Sequence, residues 1–245
     1  MRAFTISATI EKGLNIWARN IVPFTLLSVL AYAPMIVWAY TLTTGTPDLH
    51  ALRLFAPISG AVISVLNVLL SAMLTYGVVM ELRGEHAGLL ACIGHGLRRF
   101  LPALATAIVV MLAVFGATLL LVVPGIIVGC MLYVAVPAAI VERPGVLGAL
   151  RRSRQLTRGR KVDVFAIQMV VGLAPGIVNT VARFWILGVN DRRASVTAWI
   201  HFVYVETAIM ILVSTLGAVF PAVSYFLARQ DQEGASVDDL VRVFD

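Results

Sequence analysis

Arg183, in "NTVARFWIL", and Glu206, in "HFVYVETAIM", carry charge inside strongly apolar segments. An unpaired charge at the centre of a membrane-crossing helix costs about 2.5–3.5 kcal/mol on insertion scales, so each residue calls for a partner. The two segments join through "NDRRAS". Counting from that turn in both directions brings Arg183 within one helical turn of Glu206, a gap an arginine stem spans. Asn179 lies on the Arg183 face at i−4. His201 sits nearby on the later segment, although well round the helix from Glu206. Asn179, Arg183, His201 and Glu206 therefore form a candidate intramembrane polar site. Three uses are open: an ion pair that fixes the packing of the hairpin, a cavity for a lipid or small ligand, or the lining of a transport route. The same segment carries "GLAPG" at 172–176. A proline there frees a backbone carbonyl and invites a kink beside the charges.

Other chemistry is sparse. His50, His86, His95 and His201 show no metal-ligand spacing, and "HExxH" is absent. The chain has no GxSxG, no Walker loop and no dinucleotide fingerprint. No catalytic residue, metal or cofactor is expected, and the protein is not expected to be an enzyme. Cys92 and Cys130 fall in a short amphipathic segment and an apolar run, where small buried thiols are expected rather than a disulfide.

The composition explains what must hold such a site. The 245 residues are 60% hydrophobic and only 13% charged, where a soluble domain has roughly 25% charged residues. So few charges cannot cover a water-facing surface, and much of the chain must face lipid. About 20 apolar residues cross a bilayer as a helix. Such runs occupy 21–42, 55–80, 101–122, 125–141, 164–189 and 196–228, with Pro124-Gly125 dividing the longest stretch. The fold class expected is all-α, with six transmembrane helices. "AYA" at 31–33 resembles a signal-peptidase box, but Pro34 follows it and the apolar run continues, so no cleavage is expected. Gly125 and Gly129 form a GxxxG, read here as internal helix packing rather than dimerisation.

Cations set the orientation. Arg2, Lys12, Arg19, Arg83, Arg98, Arg99, the stretch 143–161, Arg229 and Arg242 fall on one side. Arg53, Arg192 and Arg193 fall on the other. Both termini are therefore expected in the cytoplasm of a bacterial inner-membrane protein.

The densest cation cluster lies in "VERPGVLGALRRSRQLTRGRKVDVF". As a helix, Val146, Leu147, Ala149, Leu150, Ser153, Leu156 and Thr157 fill one half of the wheel. Arg151, Arg152, Arg154 and Arg158 fill the other. Pro144 suits its start and Gly159 its stop. Such a helix lies in a membrane interface with Arg151, Arg152, Arg154, Arg158, Arg160 and Lys161 toward anionic headgroups. A membrane-protein partner on the basic face is the other possibility. Nucleic acid is not expected, because no reading module or aromatic stacking surface accompanies the charge. Similar amphipathic segments precede the first span, with Ile6, Ile10, Leu14 and Trp17 on one face, and the third, with Leu89, Ile93 and Leu97. Residues 1–229 then read as one transmembrane domain of three parallel units, 1–82, 83–142 and 143–229. Each unit is a cytoplasmic amphipathic helix followed by a hairpin. Residues 230–245 form a short acidic tail.

The stretch "VVPGIIVGCMLYVAVPAAIVERPGVLGALRRSRQLTRG" is similar to the core signature of bacterial proteins related to the glycerophosphoryl diester phosphodiesterase membrane domain. The match runs through Pro124-Gly125, Pro137, Glu142, Ala149-Leu150, Ser153, Leu156-Thr157 and Gly159. "ISATIEKGLNIWARNIVPF" and "SYFLARQDQEG" extend it over nearly the whole chain. Arg154 departs from it, standing where the family often has an aromatic. The resemblance implies a six-helix membrane module without the soluble catalytic domain. The expected function is non-enzymatic binding of lipid or a membrane partner. The alternative is a transporter or permease using Asn179, Arg183 and Glu206.

Overall fold

A computed structural model describes residues 4–44, 49–188 and 195–234. Every regular element among them is helical: α1 (Ile6–Arg19), α2 (Ile21–Ala31), α3 (Ala33–Thr44), α4 (Leu49–Arg83), α5 (Leu89–Leu120), α6 (Val122–Leu132), α7 (Ala135–Glu142), α8 (Gly145–Leu156), α9 (Lys161–Leu187) and α10 (Val196–Glu233). Five stretches are long and apolar enough to cross a membrane: Ile58–Arg83, Leu89–Leu120, Val122–Glu142, Lys161–Ile186 and Val196–Glu233. A bent pair, α1 with α2, raises the number to six. At 1.5 Å per residue, α10 is about 57 Å long, well beyond a hydrocarbon core of about 30 Å. Its last turns therefore project past the apolar layer or the helix tilts.

Proline placement explains several breaks. The run 21–42 is two helices, α2 and α3, with a turn at Tyr32. Pro34 lies in the first turn of α3, where its missing N–H removes no intrahelical bond. The break expected at Pro124-Gly125 instead falls at Leu121, whose backbone is extended (φ −162°, ψ 146°). Pro124 is again a first-turn residue. Gly125 permits close approach at this turn, since a Cβ there would lie 3.0 Å from the Thr118 Cα. A Cβ on Gly129 would meet nothing within 4 Å, so the GxxxG works through one glycine only. Pro144 and Gly159 bracket α8 as read from the sequence. Pro144 caps its start, and Gly159 (φ 80°) follows its end.

The amphipathic segments pack against other helices of the chain. α1 turns through 81° into α2 and lies along α10 in antiparallel order. Lys12 faces the Phe226 ring. A Cβ on Gly13 would come within 2.9 Å of Phe220, and the Trp17 indole donates to the Thr215 hydroxyl at 2.8 Å. Its buried stripe is Thr9, Gly13 and Ile16. The small residues, not the apolar ones, make the close contact, and Leu14 stays 45% exposed. The segment expected as a separate helix before the third span is continuous with it in α5, through Pro102. On α8, Ala149, Ser153, Leu156 and Thr157 are buried by the protein itself. The Ser153 and Thr157 hydroxyls donate to the Met131 carbonyl, at 2.9 and 3.2 Å. That face is therefore occupied, and Leu147 is the large apolar residue α8 leaves exposed.

Candidate functional site

The charged hairpin is built by α9 and α10. Glu206 is buried, at 9% exposure, and Phe202 one turn earlier is buried too. The Arg183 guanidinium stands over the Phe202 ring at 5.9 Å, within cation–π range. Trp199 meets Phe202 edge-on at 5.9 Å. Arg183, Phe202 and Glu206 thus occupy one neighbourhood, while His201 is exposed on another side of α10. The Asn179 side chain lies outside the described part of the structure, as do Asp191 to Ala194. An aromatic face receiving Arg183 was not anticipated. Phe202 was legible only as a residue level with His201.

The basic end of the molecule separates the six predicted cations into two sets. Arg152 Nε donates to Glu142 Oε1 at 2.8 Å, and Nη1 lies 2.5 Å from Glu233 Oε1. The Tyr225 hydroxyl donates to the same Glu142 oxygen at 2.6 Å. Arg229 reaches Glu233 at 3.1 Å, one turn along α10. Arg160 pairs with Asp231, and its guanidinium lies 5.2 Å from the centre of the Phe4 ring. Gln232 completes the clamp, donating to the Gln155 and Leu156 carbonyls at 3.3 and 2.9 Å. Both carbonyls belong to the last turn of α8, and that of Gln155 also accepts the Arg158 N–H at 3.1 Å. The hydrogen bond that Arg152 donates to Glu233, reinforced by the one to Glu142, holds its guanidinium above the usual arginine range. Sequence reasoning assigned Arg152 and Arg160 to headgroups; the structure gives both protein carboxylates. No local signal pointed to Glu233 and Asp231, because they lie on the far end of α10.

Arg151, Arg154, Arg158 and Lys161 remain exposed. Arg154, Arg158 and Lys161, with Gln155 and Met131, line a cleft of about 420 Å³. Three cations around one concavity suit a multiply oxygenated anion, and the planar guanidinium forks match phosphate geometry.

The remaining polar residues read from the sequence are dispersed. His86 Nδ1 meets Glu81 at 2.8 Å. His95 stacks on Tyr76 with ring centres 4.1 Å apart. Among the described residues, no group of three or more His, Cys, Asp or Glu side chains is placed to hold a metal. Cys92 and Cys130 are both buried and free. No protein-family model, no curated protein and no solved structure matches the chain.

Proposed function

We propose that the protein is a non-enzymatic, multi-pass protein of a bacterial inner membrane that binds anionic lipid headgroups at the Arg154, Arg158 and Lys161 cleft. The observation that carries this reading is the convergence of those three cations on one concavity, while Arg152 and Arg160 are satisfied by the chain's own acids. Positive-inside topology puts this end in the cytoplasm, where anionic lipid gives a basic residue about 1 kcal/mol of attraction. The resemblance to the membrane domain of the glycerophosphoryl diester phosphodiesterases supports a membrane module of this kind. The test is retention of phosphatidylglycerol by the full-length protein through detergent exchange, read by native mass spectrometry. Arg154→Ala, Arg158→Ala and Lys161→Ala together should lower affinity roughly a hundredfold, from about 3 kcal/mol lost. Equal retention of phosphatidylcholine and phosphatidylglycerol by the unaltered protein would reject the reading and favour a protein partner on this face.

A transport role is the second reading. It is favoured by one observation, a buried acid on α10 one turn from the ring that receives Arg183. Stability measured for Arg183→Ala, Glu206→Ala and the pair tests whether they act together. Additive losses would remove the shared site.

A further inference from the structure

A second cavity, of about 400 Å³, is lined from α4, α9, α10 and the α6–α7 junction, and its polar lining is Asn67, Tyr133, Gln168 and Ser214. None of its lining residues is charged. Asn67 and Gln168 belong to stretches apolar enough to cross a membrane, Ile58–Arg83 and Lys161–Ile186. The Ser214 hydroxyl is committed, to Ser28 at 3.1 Å and to the Ile211 carbonyl at 3.2 Å. Gln168 Oε1 accepts only the Cys130 thiol, at 3.3 Å, and a thiol is a weak donor. Among the described residues, the Asn67 amide and the Gln168 NH₂ group find no hydrogen-bond partner. An amide in an apolar medium without a hydrogen bond costs on the order of 2–7 kcal/mol. Two such amides line one void, each with two N–H donors to offer.

The void exists because its walls carry glycines. Gly172 and Gly217 both line it, and a Cβ on either would meet nothing within 4 Å. Val171 and Val213 line it too and pass into a neighbouring crevice of about 200 Å³. That crevice is wholly apolar, walled also by Ile10, Leu14, Leu216 and Phe220. Donors in one compartment and hydrocarbon in the next describe a ligand with acceptor oxygens at one end and an apolar body.

We propose that this pair of compartments binds a neutral, carbonyl-bearing lipid, its carbonyl oxygens accepting from Asn67 and Gln168 and its apolar body lying against Val213 and Phe220. A charged headgroup is disfavoured, since the lining supplies no counter-ion and burying an unpaired charge is far more costly than burying an amide. The site is separate from the Arg154 cleft and does not depend on that reading. The carbonyl chemistry has two natural sources, the esters of a diacylglycerol and the ring of an isoprenoid quinone.

The test is photolabelling of the purified full-length protein with two diazirine probes, a diacylglycerol and an isoprenoid benzoquinone, with adducts mapped by peptide mass spectrometry. Adducts are expected in α9 and α10 from one of the probes, which names the source. Asn67→Leu with Gln168→Leu removes the donors at similar volume. Gly217→Leu fills the void and leaves every donor in place. Each should cut that labelling at least fivefold, while the Arg154→Ala, Arg158→Ala, Lys161→Ala protein labels like the unaltered one. No labelling by either probe, or adducts mapping away from α9 and α10, overturns the proposal. So does full labelling of the Asn67→Leu, Gln168→Leu protein or of the Gly217→Leu protein.

Discussion

Arg152 and Arg154 stand two residues apart on α8 and meet opposite circumstances. Arg152 turns inward, with a side chain 19% exposed, between Glu142 and Glu233. Arg154 turns outward to a cleft it shares with Arg158 and Lys161. On a helix, neighbours two apart point roughly 200° apart, so one turn of α8 serves both the fold and the surface. A run of arginines is therefore not one feature: each position takes its role from what the rest of the chain places opposite it.

Substitutions can break this contrast, and the largest effect is expected at Arg152. Arg152→Ala leaves Glu142 and Glu233 with Arg229 as their shared cation, at 3.9 and 3.1 Å. Breaking a buried pair costs about 3–5 kcal/mol. Partial exposure reduces this to about 2–3 kcal/mol, read as a lower thermal midpoint in detergent. Next comes Arg160→Ala at the start of α9, which removes the ion pair to Asp231 near the end of α10. A loss of about 1–2 kcal/mol is expected, with increased proteolysis of the chain beyond α10 as a second readout. Thr157→Val removes one hydroxyl that donates to Met131 and Ser153 carbonyls. It should cost about 1 kcal/mol in the same assay. The smallest effect sharpens the contrast from the other side: Arg154→Ala should change stability by no more than about 0.5 kcal/mol. If Arg154→Ala destabilised the protein as much as Arg152→Ala, the division between inward and outward cations would fall.

The long helices were legible because their signal is redundant over some 20 residues. The runs 55–80, 164–189 and 196–228 reappear in α4, α9 and α10 with ends shifted by a few residues. Pro144 and Gly159 marked α8 because their backbone chemistry acts locally. Features decided by distant contacts were not legible. α1 seats its Thr9, Gly13 and Ile16 stripe on α10 because Phe220 fills the space over Gly13, which no local hydrophobic pattern reveals. Pro102 reads as a boundary, yet α5 runs through it. Asn67 and Gln168 stand inside apolar runs, "SVLNVLL" and "FAIQMVV", where no motif or spacing singles them out. Their convergence on one cavity needed the packing of α4 against α10 and of α9 beside them. Arg183 and Glu206 stood out individually, whereas the ring of Phe202 between their levels did not.

The Gln232 contact with the end of α8 spans 76 and 77 residues of chain. Translation is sequential, so α8 leaves the ribosome without the Gln232 contacts and with Arg152 and Arg160 still lacking Glu233 and Asp231. During that interval α8 is held by its packing on α5, α6 and α7, by Glu142 and by the hydroxyl contacts to Met131. Its final seating must await delivery of α10, which makes docking of this helix a late event in the protein's biogenesis.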